Sequence, residues 1–262
     1  MTATLRDVVA ALDLLYPPEL AEEWDAVGLV CGDPDAAIER VLFAIDPVAV
    51  VAAQAREGGC QLIVTHHPLY LRGTTSVAAD DPKGRLVHQL ITGGCGLFVA
   101  HTNADRAAGG VNDALAALFG LTDTSPLEPG GLGRVGALPE PMDLEDLVAT
   151  VTARLPATAW GVRARGTGTI RRLAVCGGAG DGALELAAAA GADAFLTADL
   201  RHHPALEAPE GMALIDAAHW ATEWPWLPVA AAALAKVVEV ETVVSTTCTD
   251  PWTTAAPGSA TA

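Results

Sequence analysis

Six of the seven histidines of this chain occur in two kinds of motif: an adjacent His-His pair, and a histidine followed four positions later by an acid. The pairs are His66-His67 and His202-His203, and the spaced motifs are His101/Asp105 and His219/Glu223. Neutral imidazole and carboxylate side chains are common ligands of zinc, iron and related divalent metals. The recurrence of both motifs in the same order therefore indicates metal binding.

The spacing within each motif suits a site with two ions. Neighbouring side chains in an extended segment point in opposite directions, so His66 and His67 could reach different ions. A spacing of four places both side chains on one face if the backbone becomes helical. A carboxylate can also bridge two cations, which commonly lie ~3.5–4 Å apart. Taken singly, the motifs have plainer interpretations: histidines bound to loop carbonyls, an N-cap Asp and a surface Glu.

Other polar positions leave their roles open. Asp199 lies three residues before His202, so this segment could bind metal, contact substrate, support the metal ligands or be structural. His101 and His203 are candidates for general acid or base. Asp25 could be a cap or a support for the metal pocket.

Two further sequence features have simple alternatives. The glycine-rich turn from Gly177 to Gly180 could cradle an anion or be an ordinary tight turn. His88 lies outside the repeated motifs, and we expect it in mid-helix facing solvent.

The motifs follow two βαβ patterns that imply parallel strands. In the first, residues 41–45 predict a strand, Asp46 an N-cap with Pro47 at the first helical position, and residues 62–65 the next strand. In the second, residues 173–176 and 195–197 predict strands around a helix over 183–190. The fold prediction is α/β: two pseudo-symmetric lobes from an internal duplication, with mixed sheets flanked by helices.

The predicted boundaries follow composition. Residues 1–121 form lobe 1, which begins with a helix that Thr4 and Asp7 cap, and the Pro- and Gly-rich residues 122–136 form a linker. Residues 137–252 form lobe 2, with a helix over 143–155 and a C-terminal segment that could pack back on lobe 1. Residues 253–262 are small and polar and predict a disordered tail.

Composition excludes several functional classes. The net charge of −17 over 262 residues repels phosphate backbones and anionic lipid, so nucleic-acid and membrane binding are not expected. The sequence contains neither a secretory signal nor an apolar run of the ~20 residues that a membrane span needs. Five dispersed cysteines without a C-x-x-C motif fit reduced thiols, and we expect a cytoplasmic protein.

The motifs, taken in order, resemble the dinuclear-metal proteins called GTP cyclohydrolase 1 type 2 homologs, or NIF-three-like proteins, over nearly the whole chain. The segments that carry this resemblance are E-E-W-D-A-V-G-L (22–29), T-H-H-P-L (65–69), H-T-N-A-D (101–105), T-A-D-L-R-H-H (197–203), H-W-A-T-E (219–223) and T-D-P-W (249–252). Ala26, Ala179 and Ala198 depart from the usual residues of the family.

The resemblance implies two divalent ions per subunit (zinc, iron, manganese or cobalt) and a toroidal homohexamer. It implies the metal ligands His66, His67, Asp105, His219 and Glu223, with His101 beside them. The length implies the short form that lacks an inserted domain.

For function, we expect a metal-dependent hydrolase that acts on a small molecule such as a nucleotide or phosphoester. The alternative is a regulatory or metal-trafficking scaffold without catalysis.

Overall fold

Helices and strands alternate along most of the chain in the computed structural model, which describes residues 2–255. The α-helices are α1 (Leu5–Leu15), α2 (Ala49–Glu57), α3 (Pro82–Thr92), α4 (Thr102–Arg106), α5 (Val111–Leu118), α6 (Leu144–Arg154), α7 (Leu184–Ala189), α8 (His202–Glu207), α9 (His219–Glu223) and α10 (Trp226–Val237). The strands are β1 (Ala3–Thr4), β2 (Gly28–Cys31), β3 (Ala37–Ile38), β4 (Arg40–Ala44), β5 (Leu62–Thr65), β6 (Gly96–Val99), β7 (Thr122–Ser125), β8 (Arg134–Asp143), β9 (Arg163–Arg165), β10 (Thr169–Ala179), β11 (Ala194–Ala198), β12 (Ala213–Ala217) and β13 (Glu241–Val244). Among these residues, no helix has the length and apolar character needed to cross a membrane.

The chain divides into two compact units. Unit 1 comprises residues 2–114 and 226–249, and unit 2 comprises residues 115–225 and 250–255. The stretch 122–136, which we predicted as a linker, instead supplies β7 and the start of β8 in the sheet of unit 2. Its Pro and Gly residues lie mainly in the turn between these antiparallel strands. The composition of this turn resembles that of a linker. Residues 256–262 of the predicted tail lie outside the described residues.

Unit 1 is built on a five-stranded sheet in the order β13-β4-β5-β6-β2. The first four strands are parallel, and β2 runs antiparallel to β6. Leu42 and Ile63 from the sheet pack with Val51 of α2 and Leu86 of α3 in one buried cluster. The predicted capping box at the start of α1 is formed, since Thr4 and Asp7 exchange hydrogen bonds.

Unit 2 is built on a six-stranded sheet in the order β7-β8-β10-β11-β12-β9. Its central strands β10, β11 and β12 are parallel, while β7, β8 and β9 each run antiparallel to their neighbours. Ala174 and Phe195 from the sheet pack with Leu184 and Ala187 of α7. The predicted α/β class, with mixed sheets flanked by helices, is confirmed.

The two sheets share an arrangement of strands. Each contains three consecutive parallel strands, β4-β5-β6 and β10-β11-β12. In each, a strand that precedes this triplet in sequence pairs antiparallel with its last member, β2 with β6 and β9 with β12. A five-residue helix follows each triplet and begins at or directly after a motif histidine, α4 after His101 and α9 at His219. This correspondence agrees with an internal duplication, which stays a prediction.

We predict that Gly110→Ala destabilises unit 1. A Cβ at Gly110 would lie 1.8 Å from the carbonyl oxygen of Ala104, within the short helix α4 that carries Asp105. The backbone must move to relieve this contact, which should cost about 1–3 kcal/mol in the free energy of unfolding. Chemical denaturation measures the loss.

Gly73→Ala is the matched control, because nothing lies within 4 Å of a Cβ at that position. It should change the unfolding free energy by less than about 0.5 kcal/mol. Equal effects of the two substitutions would contradict the importance of the contact between Gly110 and α4.

Candidate metal centre

Three histidines of unit 1 meet where adjacent parallel strands end. His66 and His67 follow β5 directly, and His101 comes two residues after β6. The carboxyl ends of parallel strands lie at one edge of a sheet, where α/β proteins usually bind ligands. Each histidine offers a ring nitrogen, and these three nitrogens all lie within 4.8 Å of one another. We call His66, His67, His101 and the nearby Asp105 the unit 1 cluster.

Each histidine of this cluster is held through Nδ1. The Nδ1–H of His66 donates to the carbonyl oxygen of Ala100 at 2.9 Å. Those of His67 and His101 donate to carboxylate oxygens of Asp46 at 2.7 Å and Asp25 at 2.9 Å. Since these oxygens only accept, Nδ1 carries the proton and Nε2 keeps the lone pair in the neutral ring. This is the arrangement typical of metal-binding histidines.

Asp25 orients His101 and also starts the helix that carries Asp105. One carboxylate oxygen accepts from His101, and the other accepts from the backbone N–H and the hydroxyl of Thr102, the first residue of α4. Burial raises the pKa of Asp25, but the hydrogen bonds with His101 and Thr102 and the charge of His101 lower it well below its usual range. Asp25 therefore stays ionised and holds the ring of His101 and the first residue of α4.

The carboxylate of Asp105 lies beside Nε2 of His66. Its Oδ1 lies 3.7 Å from His66 Nε2, and the side chain of His66 is fully buried. The backbone of α4 fixes this position, because the N–H of Asp105 donates to the carbonyl of His101 and its own carbonyl accepts from the Asn112 amide. The predicted H-x-x-x-D motif thus spans one turn of a short helix.

In unit 2, His219 and Glu223 form the second H-x-x-x-acid pair on α9. His219 Nε2 lies 2.9 Å from Glu223 Oε1, and its Nδ1–H donates to Asp199 at 2.7 Å. Burial lowers the pKa of His219, but the charge of Glu223 and the hydrogen bonds with Asp199 and Glu223 outweigh it and raise that pKa to about 11. So much negative charge around one imidazole could be balanced by a proton or by a metal cation.

The glycine-rich turn of unit 2 lies against this pair. Gly178 has a φ of +68°, and a Cβ there would lie 2.5 Å from Glu223 Oε1 and 3.1 Å from His219 Nε2. Its N–H donates to Thr222, and its carbonyl accepts from Thr197. The turn therefore brings bare backbone close to the two side chains, a role that we did not predict from its sequence.

The donor sets of both units fit a divalent cation chemically. Two ligand atoms that each lie ~2.1 Å from one ion, at tetrahedral or right angles, are separated by roughly 3.0–3.4 Å. The separation of 2.9 Å between His219 and Glu223 and that of 3.7 Å between His66 and Asp105 are close to this range. Imidazole nitrogens with carboxylate oxygens suit zinc, iron, manganese or cobalt.

Asp46 has a different role from the one that we predicted. We predicted it as the N-cap of the helix after β4, but α2 begins at Ala49, and Val48 occupies the N-cap without a side-chain hydrogen bond. The carboxylate of Asp46 instead accepts from His67 and from the hydroxyl of Thr249. An acid near the end of a buried strand carried the signal: Asp46 comes two residues after β4, and Asp199 directly follows β11.

The second His-His pair differs from the first. His202 and His203 are exposed at the start of α8, and their ring centroids lie 5.3 Å apart. Within residues 2–255, neither ring takes part in a hydrogen bond or an ion pair, so this pair lacks the Nδ1 anchors of the unit 1 cluster. His88 lies exposed within α3, as expected.

Comparison with known proteins identifies the family. A family model described as Duf34/NIF3 (NGG1p interacting factor 3) matches residues 3–251. The chain belongs to this family. The resemblance that the sequence motifs suggested is therefore confirmed.

Individual relatives of the Duf34/NIF3 family match almost the whole chain. A GTP cyclohydrolase 1 type 2 homolog from Streptomyces coelicolor is 52% identical, with 95% of this chain and 93% of the relative covered. A Staphylococcus aureus hypothetical protein of known structure is 30% identical, with a TM-score of 0.88 and coverages of 96% and 99%. A Bacillus cereus protein related to NIF3 has a TM-score of 0.89 at 23% identity, with coverages of 96% and 99%, and shares the fold.

We predict that Gly178→Ala weakens metal binding. The added methyl group would occupy space against Glu223 and His219. We expect the dissociation constant for Zn²⁺ to rise by about 10–100-fold, as when support for metal ligands is removed. Competition with a chromophoric chelator measures this constant.

Gly191→Ala is the matched control, because Gly191 has a similar φ of +72° but nothing within 4 Å of its Cβ. Both substitutions should lose stability from backbone strain, and only Gly178→Ala should lose Zn²⁺ affinity. Equal affinity for the two variants would show that Gly178 does not shape the site.

Proposed function

We propose that this protein is a dinuclear-metal hydrolase. In this proposal, His66, His67 and Asp105 of unit 1 and His219 and Glu223 of unit 2 hold two divalent ions. The observation that carries it is the repeated anchoring of histidine Nδ1 to an oxygen acceptor. It leaves Nε2 as the donor atom in each neutral ring, as in established metal sites.

Bound divalent cations would supply an acidified water nucleophile near neutral pH and polarise the bond under attack. The role of the protein is to hold the reacting groups in place. His101 could donate or accept a proton there, because Asp25 fixes the orientation of its ring and its ring centroid lies 5.1 Å from that of His66. His203 lacks such an anchor, so we assign the acid–base role to His101.

A cavity beside His67 supports a catalytic role over a purely metal-binding one. It has a volume of about 320 Å³, and Asp46, His67 and Lys83 line it together with apolar residues such as Leu69 and Leu86. This volume lies within the usual range for small-molecule sites. A scaffold that only stores or carries metal would not need such a cavity next to a ligand histidine.

The charges around this cavity favour an anionic substrate. The chain has a net charge of −17 and only two lysines, so an anion needs local positive charge to approach. Lys83, one of the two, lines the cavity and lies with its Nζ 5.7 Å from the centroid of the Tyr70 ring. We therefore propose a phosphoester or nucleotide as the substrate class, with the anionic group near Lys83.

We predict that Glu223→Gln lowers both metal content and hydrolysis. Glu223 is buried, and glutamine keeps its shape while removing the charge that the cations would balance. The affinity for metal should fall at least tenfold. The measurements are metal per chain by plasma mass spectrometry, and turnover of GTP and of a phosphomonoester panel.

His88→Ala is the control, because His88 is exposed on α3 and outside the proposed site. It should keep both metal and activity. If Glu223→Gln also keeps full metal, or if both variants lose it equally, the ligand assignment is wrong. If the native protein binds two ions and hydrolyses none of the substrates, the scaffold alternative is supported instead.

We also propose that the protein assembles as a homohexamer, which rests on the family resemblance alone. Light scattering of the purified chain at micromolar concentration should give the mass of six subunits. A monomer under these conditions would contradict the proposal.

A further inference from the structure

A second cavity lies wholly within unit 2 and contains none of the proposed metal ligands. Its volume is about 390 Å³, and it is bounded by residues of β9, β12 and the short helix α8, together with Leu200. A cavity of this size accommodates a small organic molecule. Neither the metal centre nor the proposed hydrolase activity accounts for it.

Strand pairing gives this cavity a charged and an apolar part. Arg163 and Arg165 lie two residues apart on β9, so their side chains project from the same face of the sheet. The register pairs Arg163 with Asp216 of β12 and Arg165 with Leu214. All four residues line the cavity. One cross-strand pair, Arg163 with Asp216, is charged on both strands, and the other places Arg165 beside Leu214.

The two arginines differ in how their charge is balanced. Arg163 forms an ion pair with the buried Asp216, with Nε 2.7 Å from Oδ2, and its guanidinium stacks on the Trp160 ring at 4.7 Å. Arg165 instead donates to the backbone carbonyls of Ala205 and Leu206. A carbonyl is neutral, so the positive charge of Arg165 remains available to an anion at the cavity wall.

The rest of the lining is mostly apolar. Leu200 and Leu214 are buried, while the side chain of Leu206 is 62% exposed although it lies beside them. His202 also lines the cavity and offers a hydrogen-bonding ring. Among residues 2–255, no carboxylate pairs with Arg165. The cavity therefore combines its positive charge with an apolar wall, the composition expected of a site for an amphipathic anion.

We propose that this cavity binds a small organic anion, with its carboxylate or phosphoryl group on Arg165 and an apolar ring or chain against Leu200, Leu206 and Leu214. Arg163 and Asp216 stabilise the wall by pairing with each other. Because the site does not include the metal ligands, it stands independently of the proposed hydrolase.

Isothermal titration calorimetry of the metal-loaded protein tests this site with two probes, phenylphosphonate and benzoate. They share a phenyl ring and differ in the anionic group. At least one should bind saturably, and the stronger of the two identifies the preferred anionic group. Benzyl alcohol lacks the charge, and inorganic phosphate lacks the phenyl ring. Each should bind at least tenfold more weakly than the stronger probe. Neither probe can be hydrolysed at a phosphoester bond, so turnover does not interfere.

Variants locate the binding. Arg165→Gln should lower the affinity for the probe at least tenfold. Leu206→Asp should do so as well, because it places a carboxylate beside the anion. Arg171→Gln removes the same charge from an exposed position of β10 and should leave binding unchanged. Thermal unfolding confirms that each variant is folded.

The outcomes are distinct. Loss of binding in Arg165→Gln and Leu206→Asp but not in Arg171→Gln supports the proposal. Probe binding that persists in Arg165→Gln arises elsewhere, for example at the metal ions, and overturns it. The absence of saturable binding by both probes at millimolar concentration overturns it too, and leaves the hydrolase proposal unaffected.

Discussion

The hydrogen bond from histidine Nδ1 to a fixed oxygen acceptor is the interaction on which the site depends. Four histidines make it, with a backbone carbonyl for His66 and the carboxylates of Asp46, Asp25 and Asp199 for the others. It selects the tautomer, orients the ring and raises the basicity of Nε2. A histidine without such an anchor, such as His202, has neither its ring nor its tautomer fixed in this way.

The parallel strands of the two sheets place these hydrogen-bond partners close together. Asp46 follows β4, His66 and His67 follow β5, and Asp199 follows β11, so acceptors and imidazoles collect at the carboxyl ends of neighbouring parallel strands. Short helices then begin at the third strand of each set and carry Asp105 and Glu223 one turn onward. The arrangement needs rigid strands and abrupt turns, which explains the close backbone approaches at Gly110 and Gly178.

Buried carboxylates are costly unless they are compensated, and each unit places a histidine beside a buried carboxylate. The side chain of Asp25 is fully buried but accepts hydrogen bonds from His101, Thr102 and the backbone of Ala26, so it stays ionised through donors of the protein itself. Glu223 is also buried, and its Oε1 lies 2.9 Å from His219 Nε2. A divalent cation would satisfy this second arrangement as well as a proton does, which links the electrostatics of α9 to its proposed role.

Much of the architecture was predictable because local patterns agreed with the tertiary structure. The capping box at Thr4, the strands β4 and β5 and the α/β class all follow from periodicity and capping chemistry. The repeated spacing revealed the histidine and acid motifs, whereas the choice of five proposed ligands came from the family resemblance. The role of Asp46 was not, because an Asp before a Pro looks like a helix cap, and only the tertiary structure brings His67 to it. The hairpin of β7 and β8 was missed for a similar reason, since its turn has the composition of a linker.

The central claim is that anchored histidines offer Nε2 to metal ions, and anomalous diffraction from crystals of the metal-loaded protein, recorded at the absorption edge of the bound metal, tests it most directly. The predicted result is two peaks per chain, bonded to Nε2 of His66, His67 and His219 and to carboxylate oxygens of Asp105 and Glu223. Peaks at Nδ1 atoms, peaks only at the exposed His202 and His203, or no peak near these residues would contradict it.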